Sequence, residues 1–192
     1  MTPGHTTIWA GLGLLLVFAS AQAADPTDLV TSIRSGSHVL MIRHAHAPGS
    51  GDPDHFKIGD CSTQRNLDDR GRAQAQQIGR WLRAHGITSA RIFSSQWCRC
   101  RDTAEGLALG PVNELPALNS FFERPQDRAP NLAALRAFLS QQPTDGPLVV
   151  LVTHFVTISA ISGLGVAAGE GVVLRLQGGG GFEVLGRLGF GL

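Results

Sequence analysis

Two histidines and two arginines stand close behind short apolar runs in this sequence. They are Arg43, His44, Arg99 and His154. A histidine imidazole can act as a nucleophile or carry a proton, and the planar guanidinium of arginine grips two oxygens of a phosphate or a carboxylate. These residue types together indicate chemistry on an anion. For each residue taken alone, a surface arginine or a hydrogen-bonded histidine is the simpler interpretation.

Three strand-like segments precede these residues, and the first has the composition of a strand buried on both faces of a sheet. The segments span residues 39–42, 91–94 and 148–152. In open α/β sheets, ligands bind at the carboxyl ends of the strands. We therefore expect the four side chains to converge at one edge of a sheet. Helices expected to begin after Ser95 and after His154 would add backbone N–H groups, which also favour anions.

The rest of the chain alternates between helical and strand patterns. Helices are predicted over residues 28–33, from the capping residue Asp68 to about 84, and over 95–107, 131–141 and 155–164. A hairpin is expected from residues 172–176 and 182–188, joined across a glycine run. This order predicts an α/β fold with three α/β/α layers. Its mainly parallel sheet would carry helices on both faces and a C-terminal edge hairpin.

The first 23 residues have the pattern of an export signal. Residues 8–19 are apolar but too few to span a bilayer, and Ala21-Gln22-Ala23 gives a small-x-small cleavage pattern. We therefore predict a signal peptide over residues 1–23 and one domain over residues 24–192, with a periplasmic or secreted location. Because no lysine or arginine precedes the apolar stretch, an uncleaved anchor is the alternative. After cleavage, no stable membrane insertion is expected.

Charge and cysteine content bound the possible partners. The chain has 16 basic and 15 acidic residues, so its net charge of +1 argues against a nucleic-acid partner. Of the three cysteines, Cys61 and Cys98 could pair and leave Cys100 as a small buried residue, although spacing does not decide connectivity. A zinc site would need a fourth ligand. In an oxidising compartment a disulfide is the favoured use.

Four segments, taken together and in this order, resemble the histidine phosphatase superfamily, in the branch that includes cofactor-dependent phosphoglycerate mutases. Arg43-His44-Ala45 is similar to its Arg-His-Gly signature, with alanine in place of glycine. Residues 67–75 resemble its Leu-Thr-x-x-Gly-x-x-Gln-Ala helix start, and residues 94–104 its Ser-Ser-x-x-x-Arg-Ala-x-x-Thr-Ala segment. His154 falls on its late strand-end histidine. The resemblance spans roughly residues 38–165.

Residues 60–67 are similar to an Asp-Cys-x-x-Gln-Arg-Asn-Leu stretch found in small, exported members of this family. Some of those members act on lipopolysaccharide sugar phosphates. The resemblance therefore implies that Arg65 and Asn66 contact the substrate, a small phosphorylated molecule such as an envelope sugar phosphate. It implies no cofactor.

The resemblance also implies a role for each of the two histidines and two arginines described first. His44 would attack phosphorus and form a phosphohistidine, which splits one displacement into two easier steps. Arg43 and Arg99 would hold the phosphoryl oxygens, and His154 would lie in the same pocket as a further donor. Neighbouring cations should lower the pKa of His44 and keep it neutral.

The proton donor for the leaving oxygen is expected at Glu123, the nearest carboxylate in the region where mutase-like members carry a glutamate. Glu123 could instead be a surface partner of Arg124. Asp52 and Asp60, in the long loop after the first strand, are the alternatives. Arg101 lies on another face of its helix than Arg99, so we expect it to be structural or solvent-facing.

Other functions use part of the same residue set. A phosphohistidine-protein phosphatase would use the same chemistry, and a non-catalytic phospho-ligand binder would need the arginines alone. A metallohydrolase would use His44, His46 and His154, but two arginines would repel a metal ion, so no metal is expected. A mutase is disfavoured for an exported chain of this length.

Overall fold

A computed structural model of the protein describes Met1 and residues 26–191. The predicted signal peptide therefore lies outside the described residues, apart from Met1. The strands are β1 (His38–Arg43), β2 (Arg91–Ser94), β3 (Val112–Glu114), β4 (Val149–Thr153), β5 (Gly171–Leu176) and β6 (Phe182–Leu188). The helices are α1 (Pro26–Arg34), α2 (Asp69–Ala84), α3 (Cys98–Leu107), α4 (Arg128–Ser140) and α5 (Phe155–Ser162).

The six strands form a single sheet in the order β3-β2-β4-β1-β5-β6. The four strands from β3 to β1 run parallel to one another. Strand β5 pairs antiparallel with both β1 and β6, so the last two strands form a hairpin at the sheet edge. The predicted mainly parallel sheet with a C-terminal edge hairpin is confirmed.

Strand β1 lies inside the sheet and buries side chains on both faces, as its continuous apolar run predicts. Leu40 and Ile42 pack into one core with side chains of α1, α2 and α3. Val39 and Met41 pack into the other core, with side chains of α4 and α5. Since a strand alternates its side chains between faces, this division places the sheet between two helical layers. The predicted three-layer architecture is confirmed.

Helix α2 begins where the sequence predicts, because the Asp68 carboxylate accepts a hydrogen bond from the N–H of Gly71. Farther along, Gly79 allows α2 to approach α3. A Cβ atom at this position would overlap the backbone carbonyl of Leu107. The two helices therefore pack closely on one face of the sheet, and α3 is held where it can present its first turn to the site.

Helix α3 begins at Cys98, three residues later than the sequence predicts. Strand pairing continues instead, since the N–H of Ser95 donates to the carbonyl of Val152. The side-chain amide oxygen of Asn119 then accepts from the N–H of Gln96. These long-range contacts delay the helix, and its first turn still contains Arg99.

A disulfide joins Cys61 in the long loop to Cys98 at the start of α3, at a sequence separation of 37. Cys100 is free and buried. The pairing expected from the sequence is confirmed. The bond fastens the loop after β1 to the helix that carries Arg99.

Removing this disulfide should destabilise the protein by about 3–4 kcal/mol, because the unfolded chain regains the entropy of an open loop. Urea unfolding of the Cys61→Ala/Cys98→Ala variant, compared with the wild type, measures the loss. Reductant should lower the midpoint of the wild type and leave that of the variant unchanged. Equal midpoints for the two proteins without reductant, or a Cys61–Cys100 peptide in mass mapping, would contradict this assignment.

None of the helices in the described range combines the length and the apolar character needed to cross a bilayer.

Candidate active site

The carboxyl ends of β1, β2 and β4 meet at one edge of the sheet, as the sequence predicts. The register pairs Arg43 of β1 with Thr153 of β4, and the N–H of His44 donates to the Thr153 carbonyl at 2.9 Å. A cavity of about 170 Å³ opens at this edge. Its lining includes Arg43, His44, Arg65, Arg99, Glu123 and His154. Six of the seven predicted site residues therefore lie around one space.

His44 is held as a neutral imidazole with one nitrogen free. Its Nδ1 lies 2.8 Å from the carbonyl oxygen of Ala45, and since a carbonyl only accepts, Nδ1 must carry the proton. Burial lowers the pKa of His44 to about 3, and the charges of Arg99 and Arg43 add to this, partly offset by the Ala45 hydrogen bond. At neutral pH the Nε2 lone pair is consequently unprotonated and available to attack.

His154 lies beside His44, with 5.6 Å between the ring centroids. Its Nε2 is 2.9 Å from the Oγ of Ser95, which also lies within hydrogen-bonding distance of the side-chain oxygen of Asn119. Burial, with Arg99 next, lowers the pKa of His154 well below its ordinary value. His154 is therefore a neutral, oriented group at the base of the cavity.

Arg43 is anchored at one side of the cavity. One terminal nitrogen donates to the carbonyl of Val166 at 3.0 Å, and the guanidinium lies 5.5 Å from the ring centroid of Phe155. Within the described residues, its buried Nε–H has no hydrogen-bond partner. A phosphate oxygen bound in the cavity would supply an acceptor near this group.

Arg99 is held by Asp52 in a buried two-point contact. The two terminal nitrogens of Arg99 donate to the two carboxylate oxygens of Asp52 at 2.8 and 3.1 Å. The side chains are only 4% and 7% exposed. The buried Nε–H of Arg99 has no partner among the described residues. The geometry fixes the plane of the guanidinium and leaves the Nε–H and the second N–H of one terminal nitrogen unused.

The structure argues against Asp52, one of the two alternatives to Glu123 as the proton donor. Burial alone would raise its pKa, but hydrogen bonds from Arg99 and from the indole N–H of Trp97 outweigh it, so the pKa lies below the ordinary value. The N–H of Arg65 donates to the same carboxylate at 3.1 Å. Asp52 is thus an ionised, fully hydrogen-bonded group that positions Arg99.

Arg65 fixes the long loop around the cavity. Its Nε donates to the carbonyl of Gly51 at 2.7 Å and one terminal nitrogen to that of Ala47 at 2.6 Å. With Arg43 and Arg99 it gives the cavity three guanidinium groups against the one buried carboxylate of Asp52. The lining therefore has more guanidinium groups than carboxylates even with Glu123 at the mouth included, and its net positive charge suits an anion.

Glu123 lies at the cavity mouth, exposed to solvent. One of its carboxylate oxygens accepts from the N–H of Asp52 at 3.3 Å. Gly51 makes this approach possible, since its φ is +68° and a Cβ atom there would overlap the Glu123 carboxylate. An exposed carboxyl group beside the phosphate pocket can exchange protons with water and with a leaving oxygen.

Asn66 and Asp60 do not line the cavity. Asn66 donates its side-chain amide to the carbonyl of Cys61, so the structure does not support its predicted contact with the substrate. The exposed carboxylate of Asp60 caps a short 3₁₀ turn by accepting from Ser62. Because both side chains serve the loop's own backbone, Glu123 is the remaining candidate for the proton donor.

His46 and Arg101 lie outside the cavity, as the sequence favours. His46 contacts the Asp68 carboxylate at 3.1 Å, and Arg101 forms an ion pair with Glu114 at 3.4 Å. Within residues 26–191, no group of three or more His, Cys, Asp or Glu side chains is arranged to hold a metal ion. The set His44, His46 and His154 is not assembled.

The two helix N-termini differ in what they offer an anion. The expectation that the N-terminus of α3 offers N–H groups to an anion is wrong, because the N–H of Cys98 donates to the side-chain oxygen of Gln64. At α5, Phe155 and Val156 line the cavity, and no side chain caps the helix. The first N–H groups of α5 therefore face the anion side of the site.

The sequence indicated Asp52 only as an alternative proton donor and missed its contact with Arg99, and it did not identify the two aromatic side chains at the cavity. Asp52 lies in a Gly-Asp-Pro turn of the long loop, and nothing in its local pattern indicates a partner 47 residues away. Phe122 and Phe155 also line the cavity although they are exposed to solvent. In the sequence, the Phe121-Phe122 pair directly before Glu123 was the signal that could have indicated aromatic side chains at the site.

The comparison with protein families agrees with this geometry. Residues 39–129 match the model of the histidine phosphatase superfamily (branch 1). Among curated proteins, serine/threonine-protein phosphatase Pgam5, mitochondrial, of Drosophila virilis is 32% identical over 72 residues, which cover 38% of this chain and 22% of that protein. The corresponding Drosophila grimshawi protein is 31% identical over 72 residues. The matched part thus spans about a fifth of these curated relatives.

Solved structures match over more of the chain. The protein histidine phosphatase SixA complexed with tungstate superimposes with a TM-score of 0.56 and 16% identity, covering 80% of this chain and 97% of that one. The ecdysone phosphate phosphatase of Bombix mori, also with tungstate, gives a TM-score of 0.57 and 14% identity, covering 78% and 92%. At these identities the likeness shows a shared fold.

Proposed function

We propose that this chain, whose residues 39–129 match the model of the histidine phosphatase superfamily (branch 1), is a phosphatase that hydrolyses a phosphomonoester through a phosphohistidine on His44. One observation carries this proposal. The free Nε2 of a neutral His44 lies in a cavity lined by three guanidinium groups. A nucleophile in a site that favours an anion is what attack on a phosphoryl group needs.

The reaction has two displacements at phosphorus. The Nε2 lone pair of His44 forms a bond to phosphorus while the bond to the leaving oxygen breaks. Glu123, in its protonated form, gives that oxygen a proton. Water then attacks the phosphohistidine, gives its proton to the Glu123 carboxylate, and releases phosphate and neutral His44. Arg43 and Arg99 hold the phosphoryl oxygens in both steps, where negative charge accumulates.

The substrate that this proposal favours is a small phosphorylated molecule, with an envelope sugar phosphate as a specific candidate. A second hollow of about 370 Å³ adjoins the first and shares Asp52, Ser120 and Glu123 with it. The carboxylate of Asp54 lines this hollow and is an acceptor suited to hydroxyl groups. A periplasmic or secreted location is part of the same proposal, supported by the Cys61–Cys98 disulfide.

A phosphohistidine-protein phosphatase is the second candidate. It is favoured by the fold shared with SixA, whose description is a protein histidine phosphatase. The exposed mouth of the cavity, with Phe122 and Phe155 at its edge, leaves room for a larger leaving group. The chemistry at His44 would be the same for both substrates.

Turnover by the purified domain (residues 24–192) tests the proposal. With 4-nitrophenyl phosphate we expect steady hydrolysis that survives chelator and is inhibited by vanadate or free phosphate. Envelope sugar phosphates, nucleotides and a phosphohistidine peptide should then be compared by kcat/KM. Binding of phosphate without any turnover would indicate a non-catalytic binder, and loss of activity in chelator would favour a metallohydrolase.

A further inference from the structure

Two phenylalanine side chains are exposed at the mouth of the cavity. Phe122 is 63% and Phe155 is 44% exposed, and both belong to the cavity lining. Among the other large apolar side chains of residues 26–191, Ile58 alone reaches a similar exposure, at 43%, and it does not line the cavity. Exposed aromatic rings beside a polar cavity are typical of a ligand contact.

The two rings differ in how their surroundings present them at the mouth. Phe155 is the first residue of α5, and its ring lies over the guanidinium of Arg43. The neighbouring Phe121 is buried, while the N–H of Phe122 donates to the hydroxyl of Ser120 at 3.2 Å. The chain therefore buries one phenylalanine and presents the next one outward.

The cavity is polar at its base, and its mouth carries the two phenylalanine rings beside the carboxylate of Glu123. A phosphate at the base, between Arg43, Arg99 and His44, must point its ester oxygen toward the opening, because Nε2 attacks opposite the leaving group. The leaving group then emerges beside the two rings. Covering an aromatic ring removes apolar area from water, which favours binding at about 25 cal/mol per Å².

We infer that Phe122 and Phe155 form an aromatic rim that binds the leaving group. The substrate is accordingly a phosphomonoester whose alcohol presents the flat apolar face of a ring. An aromatic ring and the C–H face of a sugar ring share this chemistry. The inference rests on the proposed phosphatase function, which supplies the phosphate at the base of the cavity.

Three phosphomonoesters of primary alcohols test the rim: benzyl phosphate, a hexose 6-phosphate and ethyl phosphate. All three have alkoxide leaving groups, so differences in kcat/KM report chiefly on contacts of the alcohol. We expect at least one ring-bearing ester to exceed ethyl phosphate by about tenfold, and the better of the two identifies the kind of ring. Equal kcat/KM for all three substrates would overturn the inference while leaving the phosphatase proposal intact.

Variants locate the contact. Phe122→Ala and Phe155→Ala should each reduce the preference for the ring-bearing ester several-fold, through KM. The Phe122→Ala change should leave the inhibition constant of inorganic phosphate unaltered, because free phosphate has no group at the rim. Ile58→Ala, which removes an equally exposed side chain outside the cavity, should change neither quantity. A preference that persists in both phenylalanine variants would overturn the assignment.

A binding measurement keeps the test independent of turnover. Calorimetry should show tighter binding of benzylphosphonate or a ring-bearing sugar phosphonate than of ethylphosphonate to the wild type, with the difference reduced in Phe122→Ala. If no ester is hydrolysed but this difference appears, the phosphatase proposal fails and the rim stands. If the phosphonates bind equally, the rim fails.

Discussion

Replacing His44 with alanine should abolish phosphatase turnover, by a factor of roughly 10⁴ or more, as expected for loss of a covalent nucleophile. No other side chain in the cavity offers an unprotonated nitrogen in the same position. The neighbouring imidazole of His154 already has its Nε2 within hydrogen-bonding distance of Ser95. Single-turnover kinetics with rapid quenching should trap an acid-labile, base-stable phosphoenzyme in the wild type and none in the variant.

The fold should survive this change, because the His44 ring borders an open cavity and its loss enlarges that space without leaving a sealed void. Circular dichroism and urea unfolding would verify it. His46→Ala is the matched control, since this neighbouring histidine contacts Asp68 outside the cavity and should retain activity. Substantial turnover by His44→Ala, or a trapped phosphoenzyme in that variant, would rule out the covalent mechanism.

The sequence predicted the positions of the site residues where local pattern determines them. Continuous apolar runs identify strands buried on both faces, and the polar residue after such a run must lie at a sheet edge. Arg43, His44 and His154 could be placed by this reasoning without a structure. Arg99 could be placed because β2 and the helix that follows it, α3, are adjacent in sequence.

The parts that depend on long-range pairing could not be predicted. The start of α3 is delayed by contacts of Ser95 and Gln96 with distant residues, which no local propensity encodes. The fold of the loop between β1 and α2 depends on the contact of Asp52 with Arg99 in α3 and on the contact of Arg65 with Ala47 at the other end of the same loop. Asn66 follows Arg65 directly, yet its side chain serves the loop backbone, so adjacency to a site residue did not predict its role.

Arg99→Lys should lower kcat/KM. We expect the lost transition-state stabilisation to be roughly 2–4 kcal/mol, which is the range for removing a hydrogen-bond donor to developing negative charge. Lysine keeps the charge but offers a single ammonium where arginine has a planar fork. Asp52 already takes both terminal nitrogens of Arg99, leaving the Nε–H for a ligand. A lysine cannot keep the two-point contact with Asp52 and also reach a phosphoryl oxygen from the same direction.

Arg101→Lys is the matched control, because it makes the same substitution in the same helix outside the cavity. Arg101 lies on the same helix, two residues away, but its side chain is 38% exposed and pairs with Glu114. The substitution preserves the positive charge of an exposed ion pair that contributes little to stability, so it should change kcat/KM little. Arg99→Lys should also weaken inhibition by inorganic phosphate, whereas Arg101→Lys should not. Similar kinetics and similar phosphate inhibition for the two variants would mean that Arg99 holds the loop through Asp52 without contacting the substrate.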